Sequence, residues 1–120
     1  MAVKIISVNV NGVRAAFRNG MAAWLQQAQP DILALQEVRA ETEDLVRLFG
    51  EYLVDHGGPE WHVLHDNATA KGRAGVAVLS RIPAVASRTE LGPKNFDSAG
   101  RWLEVDFDVN GKLLTVISTY

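Results

Sequence analysis

The stretch Pro30-Asp31-Ile32-Leu33-Ala34-Leu35-Gln36-Glu37-Val38-Arg39 decides how the chain is read. Ile32 to Leu35 form an unbroken apolar run, preceded by the turn-formers Pro30-Asp31 and followed within two residues by charge. Such a run predicts a strand buried on both faces, although periodicity alone does not separate it from a buried helix. Its C-terminal end delivers one carboxylate, Glu37, with Arg39 two residues on. In open α/β sheets that end of the strands is where ligands bind. A lone acid there is an ordinary solvated charge, so its neighbours decide its meaning.

Upstream, Val3 to Val10 (VKIISVNV) is rich in Val and Ile and predicts a strand, nearly continuous in its apolar pattern and so buried on both faces. It ends in Asn9-Val10-Asn11-Gly12-Val13-Arg14-Ala15, a loop whose Asn11-Gly12 pair tolerates positive φ. In an α/β sheet Asn9 and Asn11 then sit at the same kind of strand end as Glu37. Met21, Trp24, Leu25 and Ala28 recur at i, i+3, i+4 and i+7 and predict an amphipathic helix over 21–29, with Asn19 as N-cap and Trp24 in the core. Strand, helix and strand make a β-α-β unit joined by a crossover. A second helix is predicted over 41–53, with Leu45, Leu48, Phe49 and Tyr52 apolar; Glu41, Glu43 and Asp44 complement its dipole and are not ligands.

Downstream, His56-Gly57-Gly58-Pro59 breaks the chain and Trp61 to Asp66 alternates like a strand. His62 and His65 are three apart, on opposite faces of a strand, and make a poor metal pair. The loop Lys71-Gly72-Arg73-Ala74-Gly75 combines cations with glycines that let backbone approach a phosphate, and Val76 to Ser80 reads as another buried strand. A short strand falls within 83–91, then an irregular loop over 92–100. Trp102 to Val109 alternates strictly, Leu103, Val105, Phe107 and Val109 on one face and Glu104, Asp106 and Asp108 on a solvated one. Asn110-Gly111 is a strong hairpin signal, and Lys112 to Thr119 returns as a more buried strand.

With 120 residues, 48% of them hydrophobic and 22% charged, the chain fits one ordinary soluble domain. No run approaches the roughly 20 apolar residues that span a bilayer, so no membrane partner is expected. The absence of cysteine excludes disulfides and thiolate zinc sites, and a cytoplasmic location is the default. The net charge of −2 gives no global basic field, so any grip on a phosphate backbone has to come from local arginines.

Four segments taken together resemble one family in the right order: Asn9-Val10-Asn11-Gly12-Val13-Arg14-Ala15, Leu35-Gln36-Glu37-Val38-Arg39, Gly72-Arg73-Ala74-Gly75-Val76-Ala77-Val78-Leu79-Ser80-Arg81 and Gly100-Arg101-Trp102. It is the exonuclease III / apurinic-apyrimidinic endonuclease family of the endonuclease/exonuclease/phosphatase superfamily, and the resemblance runs from residue 3 to Tyr120. Leu-Gln-Glu is shared across the superfamily; the Asn-Gly-x-Arg-Ala and Gly-Arg-Ala-Gly-Val segments point to its DNA-repair branch.

The resemblance implies an α/β (α+β) fold, a four-layered sandwich of two mixed sheets flanked by helices, of which residues 1–120 supply about the first half. It implies a Mg²⁺-dependent phosphodiesterase on duplex DNA, abasic or with 3′ ends, with Mn²⁺ a substitute ion. Glu37 matches the family's metal-ligand glutamate, Asn9 the asparagine that places other catalytic groups, and Tyr120 the active-site tyrosine. Asn11 matches a position beside the metal. Arg14, Arg73 with the Ala74 and Gly75 backbone, and Arg101 match positions along the DNA backbone, as does Arg39 just after the glutamate.

These residue types suit the chemistry. Mg²⁺ takes oxygen ligands, a phenol hydrogen-bonds a phosphate without adding charge, and arginines bind phosphate bidentately. The family's Asp-x-Asn segment, whose Asp activates water, and its terminal Asp-His pair are expected beyond Tyr120. These residues therefore read as the N-terminal part of a longer enzyme, inactive by themselves. With only one sheet of the two, the face meant for the other would be exposed and apolar. Rival readings are a phosphodiesterase for lipid or inositol phosphates, and a catalytically dead DNA-binding or interaction module.

Overall fold

The computed structural model describes residues 2–56, 61–67, 74–89 and 100–120. In chain order the elements are β1 (Ile5–Asn9), α1 (Val13–Arg18), α2 (Met21–Ala28), β2 (Ile32–Gln36), α3 (Thr42–His56), β3 (His62–Asp66), β4 (Val76–Ser80), β5 (Ala86–Arg88), β6 (Trp102–Val109) and β7 (Lys112–Thr119). The first sheet has the order β1-β2-β4-β3, with β1 parallel to β2 and the other pairs antiparallel. The second is an antiparallel meander, β5-β6-β7.

The central run behaves as its composition demands. Ile32, Leu33, Ala34 and Leu35 are all buried, because β2 alternates its side chains between two different cores. Leu33 and Leu35, with Ala77 and Leu79 of β4, face the helices and meet Val13, Leu25, Leu45 and Phe49. Ile32 and Ala34, with Val76 and Val78, face the second sheet and meet Leu103, Val105, Phe107 and Val116. The described residues therefore stack helices, sheet and sheet, three layers of the expected sandwich.

Both sheets are begun within this chain, so among the described residues the expected bare apolar face is largely covered. The inner face of the first sheet is covered by β6 and β7. Large exposed apolar side chains stand instead on the outer face of β7, where Leu113 is 70% and Ile117 45% exposed. That strand alternates, and so is less buried than expected. β1 also departs from its reading: among the described residues it is an edge strand paired with β2 alone, and Ile5, Ser7 and Asn9 are exposed.

Other differences are local. Val13 to Ala15, read as part of a loop, open the short helix α1, which ends in Arg18 near its own C-terminal carbonyls. The cap of α2 is Gly20 in the left-handed conformation (φ 107°), not Asn19, because the tight α1–α2 turn needs a residue without a Cβ there. Trp24 is 37% exposed, since Met21 and Leu25 already fill the inward stripe of that helix. Asp106 is buried and not solvated: it accepts from both terminal nitrogens of Arg88, at 2.9 and 3.2 Å, and from the Thr115 hydroxyl at 2.7 Å. These donors, Arg88 first, hold its carboxyl below the usual range.

Asn110 (φ 55°) and Gly111 (φ 80°) make the β6–β7 hairpin turn as expected. The only Asp-x-Asn spacing in the sequence, Asp108-Val109-Asn110, lies at this turn. Asp108 accepts there from the Gly111 amide at 3.0 Å, which makes it a turn residue and not a catalytic pair.

Candidate active site at the strand ends

Three strands end at one place. β1 ends at Asn9, β2 is followed by Glu37, and β7 by Tyr120. The parallel register sets Asn9 opposite Gln36, one residue short of the carboxylate. Asn9 Nδ2 donates to Glu37 Oε1 at 2.8 Å, and Asn9 Oδ1 accepts from the Asn11 backbone N–H at 3.0 Å. Asn9 is thereby fixed at both ends of its amide. The Arg39 guanidinium ion-pairs with Glu37 Oε2, and the Tyr120 hydroxyl stands close enough to the carboxylate to help hold its pKa down.

The carboxyl of Glu37 is held below its ordinary value near 4.5. The Asn9 amide is the main cause; partial burial opposes it, and Tyr120 and Arg39 reinforce it. Each of these partners stabilises the anion. The group is built to be a carboxylate at neutral pH, able to bind a cation and a poor proton acceptor.

Backbone geometry explains how Glu37 reaches Asn9. In a regular strand consecutive side chains point to opposite faces, so Glu37 would follow Leu35 toward the helices. Its φ is +51°, in the left-handed region, and this single departure swings the carboxylate to the Asn9 side. A left-handed residue bearing a side chain costs on the order of 1–2 kcal/mol. Four such residues cluster here, Asn11, Glu37, Arg39 and Ala74, all with φ between 48° and 52°. Strain of this kind persists only where surrounding contacts over-determine it, and it gathers at functional sites.

Those contacts are visible. Gly12 donates to the Glu37 carbonyl at 2.8 Å and Val13 to that of Val38 at 3.0 Å. On the other side Val38 donates to Gly75 and Arg39 to Ala74, at 3.0 and 2.9 Å. Gly75 in turn donates to Gly100 at 3.0 Å. Ala74 and Gly75 were expected to meet DNA through their backbone; both are buried, and these bonds brace the Glu37 loop from beneath.

Arg14, Arg18 and Arg39, with Gly12 and Ala15, line a cleft of about 370 Å³ beside the carboxylate. Arg14 and Arg18 are one helical turn apart on α1, and both are exposed. Arg101 stacks its guanidinium 5.3 Å from the Tyr120 ring centroid, and the Tyr120 amide donates to its carbonyl at 2.9 Å. Arg73 lies outside the described residues.

Of the residues singled out from sequence, Asn9, Asn11, Glu37, Arg39, Arg101 and Tyr120 thus meet at one end of the sheets, with Arg14 on the adjoining cleft. Sequence reasoning missed Arg18. Arg18 could have been found from its i, i+4 spacing to Arg14 had α1 been recognised. His65 is not part of the group: it bonds Thr42 at 2.9 Å and burial keeps its pKa down.

Two kinds of donor suit a hard divalent ion here, the Glu37 carboxylate and the side-chain oxygen of exposed Asn11. Among the described residues no cluster of three or more His, Asp or Glu side chains forms.

A family model described as the endonuclease/exonuclease/phosphatase family matches residues 6–117. The chain is 32% identical over 118 residues to exodeoxyribonuclease III of Haemophilus influenzae, a match covering 98% of this chain and 41% of that protein. It is similar to the structure of an AP endonuclease from Archaeoglobus fulgidus, with a TM-score of 0.73 and 28% identity over 99% of this chain and 41% of that one. It is also similar to a 3′ phosphatase from Neisseria bound to product DNA hairpin, with a TM-score of 0.71 and 25% identity over the same shares. The chain spans about two-fifths of the length of these relatives.

Proposed function

We infer the function from the family: the chain belongs to the endonuclease/exonuclease/phosphatase family, with exodeoxyribonuclease III and AP endonucleases among its relatives. The protein is a Mg²⁺-dependent phosphodiesterase of DNA repair, an exodeoxyribonuclease III-like enzyme acting on duplex DNA at 3′ ends, at abasic sites or at both, and leaving 3′-OH ends. Residues 1–120 contribute the N-terminal half of a single catalytic domain. The observation that carries this reading is the Glu37 carboxylate, held by Asn9 and Arg39 beside Tyr120 at the convergence of three strand ends.

Each group has a task in that reaction. Glu37 and Asn11 hold the ion, and Asn9 keeps Glu37 ionised and aimed. Mg²⁺, when bound, supplies charge to the scissile phosphate and its leaving oxygen, and Mn²⁺ substitutes for it. Tyr120 offers a hydroxyl proton to a phosphoryl oxygen without adding negative charge. Arg14, Arg39, Arg73 and Arg101 neutralise the DNA backbone, which positions the duplex and reads no sequence.

A carboxylate whose pKa is lowered is a weak base, so Glu37 is not the group that activates water. Among the described residues at this site no second carboxylate or histidine is available for that step. The family resemblance puts the general base in the rest of the domain, so residues 1–120 by themselves are expected not to cleave DNA.

The test is incision of a duplex carrying one abasic-site analogue, by the full chain with Mg²⁺ or with EDTA, and by its Glu37→Gln variant. Mg²⁺-dependent cutting lost in the variant supports the reading. Equal cutting by both proteins overturns it.

A further inference from the structure

Behind the carboxylate lies a second row of polar side chains that the chemistry above does not use. The Ser118 hydroxyl on β7 is fully buried and donates to the Leu35 carbonyl on β2 at 2.8 Å. It accepts from Gln36 Nε2 at 3.1 Å. The same Gln36 amide nitrogen donates to Ser7 Oγ on β1, also at 3.1 Å. The row Ser7–Gln36–Ser118 therefore crosses β1, β2 and β7, joining both sheets.

This row runs directly beneath Asn9–Glu37–Tyr120. Ser7 and Asn9 are two apart on β1, and Ser118 and Tyr120 continue β7 at the same spacing, so each pair shares a face. Gln36 and Glu37 are consecutive, but the left-handed φ of Glu37 turns it to the side Gln36 occupies.

We infer that Ser118 and Gln36 are positioning residues, a hydrogen-bonded staple between the two sheets that sets Tyr120 against Glu37. The physical need is clear. Elsewhere the sheets meet through apolar side chains such as Ala34, Val78, Val105 and Val116, and apolar contact is non-directional. It resists separation of the layers and tolerates a small slide between them. A hydrogen bond at a buried, low-dielectric position does not tolerate it, because a displaced Ser118 leaves polar atoms unpaired. The bond to the Leu35 carbonyl fixes β7 along β2 within two residues of both functional side chains. This assignment rests on the catalytic reading of Glu37 and Tyr120.

Two measurements on the full chain decide it. In the first, kcat and KM for Mg²⁺-dependent incision are compared for wild type, Ser118→Ala, Tyr120→Phe and the double variant. Ser118→Ala is expected to lower kcat about tenfold with KM near its original value, since a misplaced group is felt in the reaction and not in gripping the backbone. The double variant is expected to match Tyr120→Phe, because a residue acting through Tyr120 has nothing left to act on. Ser118→Thr keeps the hydroxyl and restores activity. Additive losses in the double variant, or no rescue by Thr, overturn the inference.

The second measurement works without catalysis and covers a wild type that cuts no DNA, which would sink the functional reading alone. A 3-fluorotyrosine at position 120 reports its surroundings by ¹⁹F resonance, and Glu37→Gln calibrates how that signal moves when its partner changes. Ser118→Ala and Gln36→Met, folded as judged by circular dichroism, are expected to displace the signal in the same sense. A resonance unmoved by both sinks the proposal, whether or not the protein is a nuclease.

Discussion

The Asn9 side-chain amide donates to Glu37 at 2.8 Å across the parallel β1–β2 pair, and that contact exists only because Glu37 abandons strand geometry. The first consequence is kinetic. Asn9→Ala removes the main group holding the carboxylate, while the Arg39 pair and the Tyr120 hydroxyl remain. Misplacing a reacting constellation by an ångström costs on the order of 10²-fold. Asn9→Ala is expected to lower kcat/KM of the full chain by about that factor, and Asn9→Asp to fare no better, because it sets two carboxylates face to face. Steady-state incision assays at saturating Mg²⁺ check it. Wild-type rates in Asn9→Ala would remove Asn9 from the site.

Glu37 also predicts an acid limb in stability. Its folded pKa is depressed, by Asn9 first and then, against partial burial, by Tyr120 and Arg39. A carboxyl depressed on folding stabilises the fold above its ordinary value near 4.5 and loses that contribution as pH falls through the lower folded value. Unfolding midpoints measured from pH 6 downward are expected to show wild type losing stability below about 4.5 more steeply than Glu37→Gln. Asp44 and Asp106, also depressed, act equally on both curves. Parallel curves would refute the point.

How much of this could be read in advance follows from where each contact comes from. β4, β6 and β7 were legible to the residue, because apolar runs, alternation and a hairpin turn are local signals. The meeting of Asn9, Glu37 and Tyr120 was legible too, since strand ends of an α/β sheet converge and the motifs resemble those of one family. The Gln36–Ser118 bond was not: it spans 82 residues and needs the packing of two sheets. Nor was the left-handed φ at Glu37, which no propensity favours and only the braces from Gly12, Ala74 and Gly75 impose. Trp24 was misplaced for a simpler reason: a helical stripe tells which side faces inward, not how deep its margin sits.

The bracing under Glu37 gives a stability prediction. Gly75 has φ +91°, and a Cβ added there would stand 3.4 Å from both His65 Nε2 and Val38 Cβ. Space is nearly sufficient, so the cost is backbone strain, about 1–2 kcal/mol for an L side chain held left-handed. Gly75→Ala is expected to lose that much in urea unfolding, and more activity than the stability loss explains, because the Val38 amide bonds the Gly75 carbonyl. Phe107→Ala makes the contrast: fully buried between the sheets, it should cost about 3–5 kcal/mol while sparing the site in the folded fraction. Equal activity in both variants at equal folded concentration would show that the loop is not held by Gly75.

The arginine cleft bears on the one feature of composition that speaks against DNA, the net charge of −2. If Arg14, Arg18 and Arg39 grip the phosphate backbone, their contribution is counterion release, and log Kd against log salt gains a slope of about 0.9 per phosphate contact. Arg14→Ala and Arg18→Ala are each expected to reduce the slope of duplex binding by about 1, without changing any preference among sequences. Arg39→Ala should do the same, and should also disturb catalysis because its guanidinium pairs with Glu37. Arg47→Ala is the control: it is an exposed arginine on α3, already paired with Asp44 and Glu51, so its loss should leave the slope alone. Fluorescence anisotropy with a labelled duplex over a salt series, in EDTA to prevent cutting, reads all four. A slope that ignores Arg18 while responding to Arg14 would place the DNA strand along the N-terminal end of α1 only. Equal responses to Arg47 and Arg14 would mean that net charge, and no cleft, governs the binding.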